Sequence, residues 1–292
     1  MRNIMRASVL IGLLCSVVVV LAFVREQRIG APVIQGEKHI VVVVPSYNNS
    51  KWYQLNLSRI FDQKYSNYRV IYIDDCSDDN TGQLVEQFIK QSGHEHRVQL
   101  IKNKERKGAM YNLYQAIHSC DDKAIIITYD GDDWFKDGDA LQTINRAYDD
   151  KNVWLTYGQF ETFPGAHLGI CHPMPDYIVN SHSYRKQEWF TSHLRTFYAG
   201  LFKKIKKEDM QDEKGNFYAV AWDQCFMFPM LEMARGRLKF IDKILYVYNQ
   251  ANPLNDFRVR CAEQLQCERV IRRKPAYEPL DEQVAKKSFV IS

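Results

Sequence analysis

Apolar runs alternate with amphipathic segments along the first half of the chain. Strands are predicted at residues 39–44, 68–73, 98–101, 124–129 and 153–157. The first of these is a nearly continuous β-branched run, which is typical of a strand buried on both faces of a parallel sheet. Between the strands, apolar residues recur at helical spacing, as Leu84, Val85, Phe88 and Ile89 do within residues 81–91.

Helices are predicted at residues 52–61, 81–91, 108–118 and 140–148. Strands that alternate with helices predict an α/β fold, with a mostly parallel sheet and helices on both faces. The second half is less regular, and its clearest elements are a helix over residues 223–234 and a strand over residues 244–248.

The N-terminal segment has a different pattern. Residues 7–24 carry no charge and would span ~27 Å as a helix, which is enough for a bilayer core. We expect a single-pass transmembrane signal-anchor at residues 7–24, between a short tail at 1–6 and a linker at 25–38. The alternative is a cleaved signal peptide, because Val20-Leu21-Ala22 resembles a cleavage site. The protein is thus expected at a membrane, with the side left open because arginines flank both ends.

Composition narrows the classes of partner. The 292 residues are 46% hydrophobic and 25% charged, which is an ordinary globular balance. A net charge of +4 without a basic-aromatic pattern gives no support for a nucleic-acid partner.

Polar groups follow three of the predicted strands: Pro45-Ser46-Tyr47-Asn48, Asp74-Asp75 and Asp130-Gly131-Asp132-Asp133. The carboxyl ends of parallel strands share one edge of the sheet, where ligands bind. Crowded carboxylates repel one another and are costly to bury, and a hard divalent cation is their natural partner. The last motif therefore suggests a metal site that holds phosphates, although Asp-Gly-Asp after a strand is also good turn chemistry.

The other two motifs suit a nucleoside. Tyr47 can stack on a planar base, and Asp75 can accept hydrogen bonds from a base N–H or from ribose hydroxyls. Neither G-x-G-x-x-G nor G-x-x-x-x-G-K-[ST] is present in the chain, which argues against dinucleotide-binding and P-loop enzymes.

These three motifs, in this order and spacing, resemble those of family 2 glycosyltransferases with the GT-A fold. The resemblance covers roughly residues 40–134 and implies transfer of a sugar from a nucleotide-diphosphate donor, in particular a UDP-sugar, to a hydroxyl of a glycan, lipid or protein. It further implies a metal-dependent (Mn²⁺ or Mg²⁺), inverting reaction. Residues 39–260 would form the catalytic domain, with a nucleotide-sugar half at 39–157, an acceptor half at 158–260 and a C-terminal tail at 261–292.

The resemblance also implies residue roles on the nucleotide side. Pro45 and Tyr47 match the motif that contacts the base. Asp75 matches the carboxylate that reads uracil, with Asp74 as its neighbour. Lys107 lies where the family places a basic residue near the diphosphate.

The metal and acceptor sides follow in the same way. Asp130 and Asp132 match the D-x-D motif, with Asp132 expected on the metal and Asp130 nearer the ribose, and Asp133 able to replace either. An inverting transfer needs a base for the acceptor hydroxyl, and Asp223 is the candidate. Its predecessor in the family is Glu, where this chain has Trp222. Asp223 could instead cap the helix that follows.

The same residues include one departure from the family pattern and leave two rival functions open. Asn249 occupies the place where the family often has a basic residue or histidine. None of the eight histidines lies at a metal-ligand spacing, which favours surface or core positions for them. Two alternatives to a glycosyltransferase are a sugar nucleotidyltransferase, whose glycine-rich signature is missing here, and a non-catalytic sugar-nucleotide or glycan-binding module, which would need no base.

Overall fold

The structure, a computed structural model, describes residues 36–255 and 259–291. Eight strands form one sheet in the order β3-β2-β1-β4-β7-β6-β8-β5. The strands are β1 (Ile40–Ser46), β2 (Tyr68–Asp74), β3 (Val98–Lys102), β4 (Ile125–Thr128), β5 (Trp134–Phe135), β6 (Leu155–Phe163), β7 (Arg195–Tyr198) and β8 (Leu238–Asn249).

Helices flank this sheet. They are α1 (Tyr53–Phe61), α2 (Thr81–Gln91), α3 (Ala109–His118), α4 (Ala140–Ala147), α5 (Asp176–Ser181), α6 (Ala199–Phe202), α7 (Trp222–Ala234), α8 (Cys261–Arg273) and α9 (Glu282–Ser288), with 3₁₀ turns at Tyr184–Lys186 and Lys207–Met210. The elements predicted in the first half therefore lie within two residues of their predicted bounds, except that β6 continues to Phe163.

The first half of the sheet is parallel and deeply buried. β1 pairs with β2 on one side and β4 on the other, and each of its seven residues is buried. Pro45 cannot donate a ladder hydrogen bond, yet it lies in this central strand. The pairing with β4 ends at Val43–Thr128, so Pro45 lies beyond it. Pro45 stays paired with Ile73 of β2, and the strand ends one residue later, at the edge where the acidic motifs lie.

The second half keeps one parallel pairing, between β6 and β8, and adds antiparallel strands to the mostly parallel sheet that the sequence predicts. β7 runs antiparallel to both β4 and β6, and β5 runs antiparallel to β8. The sequence pattern missed β7 because its interior is polar. Thr196 Oγ1 hydrogen-bonds with Tyr148 Oη (2.8 Å) and Thr156 Oγ1 (2.7 Å), so a buried hydroxyl network replaces the apolar signal.

Residues 261–291, which the sequence analysis assigns to a C-terminal tail, pack on the domain. Phe289 is fully buried against Trp154 and Tyr198, with ring centroids at 5.6 and 5.9 Å. The buried Arg185–Glu232 ion pair supports the same segment, because Glu232 accepts from the N–H of Tyr277 and Arg185 donates to a carbonyl of α8. The compact unit accordingly extends from residue 36 to residue 292.

The anchor predicted at residues 7–24 lies outside the described residues. Within residues 36–255 and 259–291, no helix combines the length and the hydropathy needed to cross a bilayer.

Candidate functional site

The Asp130–Asp133 loop follows β4 directly and lies against the end of β1. A Cβ added to Gly131 would approach Asn49 Nδ2 to 2.7 Å and Ser46 Oγ to 2.8 Å, which real side chains essentially never do. Glycine is therefore required by close approach of the backbone. Asn56 of α1 fixes the loop by donating to the carbonyls of Asp130 (2.9 Å) and Asp133 (2.8 Å). The loop is therefore fixed by contacts from β1 and α1, which a simple surface turn would not need.

Asp133 is a fully buried carboxylate (0% exposed). Its Oδ2 accepts from Tyr246 Oη at 2.6 Å, and its Oδ1 accepts from the N–H of Asn249 at 2.7 Å. Burial raises the pKa of Asp133 well above its usual range, and the nearby charges of Asp132 and Asp130 raise it further. A cation at this point would offset both penalties.

His193 completes a cluster with two of these carboxylates. Ligand atoms of Asp130, Asp133 and His193 all lie within 4.8 Å of one another. The histidine is 8% exposed, and its buried Nδ1 has no hydrogen-bond partner among the described residues. Burial, and then the charge of Arg195, hold its pKa well below the usual range, so the imidazole is neutral. Two carboxylates and a neutral imidazole with an orphaned nitrogen fit a divalent cation.

Asp132 lies beside this cluster and faces a different partner. Its Oδ2 accepts from Asn252 Nδ2 at 2.7 Å, and its carbonyl accepts from Asn249 Nδ2 at 3.1 Å. The three predicted metal carboxylates thus occupy one loop, but only Asp130 and Asp133 share the cluster with His193. Asn249 therefore donates hydrogen bonds to this loop from both its side-chain amide and its backbone N–H.

Asp75 organises the loop between β3 and α3. It accepts from the N–H groups of Lys107 (2.9 Å) and Gly108 (2.8 Å) and from Asn103 Nδ2 (2.7 Å). Burial alone would raise the pKa of Asp75, but these hydrogen bonds outweigh it and hold the pKa below its usual range. Asp75 is therefore an ionised acceptor at the place predicted for the base.

The remaining nucleotide-side residues surround this point. The pKa of buried Asp74 is raised, chiefly by burial, and its carboxylate lies where a Cβ on Gly82 would collide with it. The guanidinium of Arg106 covers the Tyr47 ring at 3.8 Å. The ammonium of Lys107 pairs with Glu105, while its backbone serves Asp75. Pairing with Glu105 leaves the Lys107 charge on the exposed side of the loop.

Asp223 lies in the first turn of α7. The helix begins at Trp222 with Ala221 as its N-cap, so Asp223 is not the capping residue, although its Oδ1 accepts from the N–H of Gln224. Arg195 Nη1 donates to Asp223 Oδ2 at 3.1 Å, and Arg195 Nε lies 3.4 Å from Thr128 Oγ1 at the end of β4. One buried side chain thereby joins the strand of the acidic loop to the candidate base.

Burial raises the pKa of Asp223, and the charge of Arg195 partly lowers it again. The net direction is upward, which makes the carboxylate a stronger base than an ordinary aspartate while Arg195 favours its ionised form. The geometry suits proton acceptance close to the acidic loop.

Sequence analysis missed two residues of this site, His193 and Arg195. Both lie at or just before β7, and no residue spacing links them to the acidic loop. The segment Ser192-His193-Leu194-Arg195 has a single apolar residue and no alternation, so its pattern does not predict a strand.

Comparison with known proteins agrees with this geometry. A family model described as Glycosyl transferase family 2 matches residues 41–230. Glycosyltransferase GlyG of Streptococcus pneumoniae is 28% identical over 218 residues, which cover 72% of this chain and 70% of GlyG. The UDP-Glc:alpha-D-GlcNAc-diphosphoundecaprenol beta-1,3-glucosyltransferase WfgD of Escherichia coli is 25% identical over 42% of this chain and 46% of its own.

Solved structures show the same fold. The chain aligns with S. aureus TarS 1-349 in complex with UDP-GlcNAc at a TM-score of 0.60 and 17% identity, over 85% of this chain and 70% of that one. It aligns with mannosyltransferase PcManGT from Pyrobaculum calidifontis, in complex with GDP-Man and Mn²⁺, at a TM-score of 0.57 and 20% identity, over 88% and 73%. The mixed sheet with flanking helices is a GT-A fold.

Proposed function

Since the chain belongs to glycosyl transferase family 2 and is a glycosyltransferase, we propose that it transfers a sugar from a UDP-sugar to a hydroxyl acceptor, with a divalent cation and with inversion at the anomeric carbon. The observation that carries this proposal is the Arg195 side chain, which joins the Asp130–Asp133 loop to Asp223 through Thr128. This link supports a site in which carboxylates on the donor side and the acceptor side act together.

The donor is bound at the carboxyl edge of the parallel strands. Asp75, ionised and oriented by the 103–108 loop, accepts the N–H of uracil, while Tyr47 and Arg106 border the base. UDP-GlcNAc is the ligand named for the TarS structure, which supports a uridine donor, whereas GDP-Man in PcManGT leaves guanosine as the competitor to test.

The reaction is a single displacement. The acceptor oxygen attacks the anomeric carbon, and the bond from that carbon to the phosphate oxygen breaks with its electron pair leaving on the diphosphate. Asp223 takes the acceptor proton. When bound at the acidic loop, a divalent ion would supply positive charge that stabilises the leaving diphosphate. The carboxylates of Asp130, Asp132 and Asp133 are the groups of that loop that would hold the ion.

The test is thermal unfolding of the full chain with UDP, GDP or CDP, each with Mn²⁺ or with chelator. A ligand that binds only the folded state adds about 2.7 kcal/mol at a hundredfold excess over its Kd. We expect UDP to stabilise the protein only when metal is present. The Asp132→Asn variant should lose this stabilisation, although its amide oxygen can still accept the hydrogen bond from Asn252. Stabilisation by GDP alone would change the donor, and no stabilisation by any nucleotide would overturn the proposal.

We also propose that residues 7–24, an uncharged run of membrane-spanning length, anchor the protein in a membrane. Membranes of cells that express the full chain should retain it through alkaline washing, and a Leu14→Arg/Val18→Arg variant should be released. A mature protein whose mass lacks this segment would instead identify a cleaved signal peptide.

A further inference from the structure

We propose that His193 is a metal ligand and that, with Asp130 and Asp133, it forms a divalent-cation site that prefers Mn²⁺ to Mg²⁺. The inference deepens the proposed function, on which it rests, by assigning the nitrogen ligand and the metal preference. Nothing in the residue spacing or in the D-x-D motif points to this histidine.

The His193 ring has a buried nitrogen without a hydrogen-bond partner among the described residues. That nitrogen is Nδ1, and His193 as a whole is over nine-tenths buried. A buried polar atom without a partner costs about 1–3 kcal/mol. One ligand atom from each of His193, Asp130 and Asp133 falls within 4.8 Å of the others. Metal–ligand bonds of about 2.1–2.2 Å could bridge such a cluster after a small contraction.

The buried charge of Asp133 also favours a cation at this point. Asp133 is fully buried beside two further carboxylates, and its two hydrogen bonds, from Tyr246 and Asn249, come from neutral donors. Neutral donors do not cancel the negative charge of Asp133, and a divalent ion would compensate it. Among the described residues, Arg195 is the cation whose charge acts on His193, and Arg195 is already paired with Asp223.

Neighbouring tyrosines fix the orientation of the His193 ring. The imidazole stacks on Tyr246 at 4.8 Å and 5° and on Tyr248 at 5.2 Å and 20°. Tyr246 also donates to Asp133, so one tyrosine fixes two of the three ligands. Fixed ligands of this kind are characteristic of metal sites whose outer contacts set the geometry.

The donor set decides the metal preference. Mg²⁺ and Ca²⁺ take oxygen ligands, whereas imidazole nitrogen suits first-row transition metals. Asp130 and Asp132 alone would accept either class. A nitrogen from His193 shifts the balance toward Mn²⁺, with Zn²⁺ as the strongest competitor in solution.

The experiment measures Mn²⁺ binding to the full chain by electron paramagnetic resonance, without nucleotide. In the wild type, we expect bound Mn²⁺ to show the spin-echo modulation of a directly coordinated nitrogen, and to resist displacement by Mg²⁺. His193→Phe keeps the aromatic stack and removes the nitrogen, so it should lose the modulation and at least about tenfold in Mn²⁺ affinity. His193→Gln offers an oxygen instead and should lower the Mn²⁺ preference over Mg²⁺.

Each other outcome overturns the assignment. Bound Mn²⁺ without nitrogen modulation would mean that carboxylates alone hold it and that His193 is a core residue, and this wild-type reading does not depend on any variant folding. Absence of Mn²⁺ binding without nucleotide would also reject the His193 site. In both cases, metal-dependent stabilisation by UDP could persist, so the proposed function would stand while this inference failed.

Discussion

Arg195 Nη1 lies 3.1 Å from Asp223 Oδ2, across the gap between β7 and the first turn of α7. The arginine side chain is 1% exposed and the aspartate side chain 20%. Because the two side chains differ in exposure, the carboxylate is accessible to solvent on one side. On the other side, a buried guanidinium favours its ionised form. Four predictions follow from this pair and from the loop that it faces.

Asp223→Asn should lower kcat by about 10²–10⁴-fold, because the amide cannot take the acceptor proton. Stabilisation by UDP and Mn²⁺ should persist, since the side chain of Asp223 is held by Arg195 and by the N–H of Gln224 and not by the groups proposed to bind the donor. Initial rates of UDP release with acceptor, beside thermal unfolding with UDP, measure the two effects. Asp242→Asn, which changes an exposed carboxylate on β8, is the matched control. Unchanged kcat in Asp223→Asn would remove this residue from the mechanism.

Arg195→Met should move the acidic limb of the kcat/KM profile to higher pH. Burial already raises the pKa of Asp223, and Arg195 opposes that rise, so removing the guanidinium raises the pKa further. The ionised base then forms only at higher pH. Arg185→Met, which breaks the buried pair with Glu232 outside the site, should lower stability without moving the limb. A limb that stays in place in Arg195→Met would separate Arg195 from the base.

Gly131→Ala should weaken UDP binding and activity together. The added Cβ would collide with Ser46, the last residue of β1, and with Asn49 in the turn that follows, so the loop must shift and carry Asp130 and Asp132 with it. A displacement near 1 Å can cost about 10²-fold in rate. Calorimetric titration with UDP and Mn²⁺, beside the rate assay, measures both losses. Wild-type affinity in this variant would show that the loop tolerates the shift.

Tyr246→Phe should lower the free energy of unfolding by about 1–3 kcal/mol. Its hydroxyl donates to Asp133 and accepts from the N–H of Asp130 at 3.2 Å, so its loss leaves two buried groups without that partner. Urea unfolding without metal measures the change. Tyr248→Phe, which removes a single hydrogen bond from Asn255, should cost less. An equal cost in the two variants would mean that the hydroxyl does not hold the loop.

The sequence predicted the donor half well, because its strands are apolar on both faces and its helices are amphipathic. Residues 81–91 form a helix with the predicted bounds, and the acidic loop follows its strand as expected. Prediction failed where burial is polar. Arg195 and Thr196 lie inside the sheet through ionic and hydroxyl partners contributed by distant elements, and such partners leave no periodic pattern along the chain. His193 was missed for the same reason.

The burial of Phe289 has a consequence for biosynthesis. Phe289 covers the rings of Trp154 and Tyr198, and its Cβ leaves no room for one on Gly200 (2.4 Å). Domains fold as units while the chain is being made. The parallel strands can assemble early. In the antiparallel half, the ring surfaces that Phe289 covers stay exposed until residue 289 has left the ribosome. A tag or truncation that disturbs this last segment should therefore reduce the yield of folded enzyme before it changes any catalytic constant.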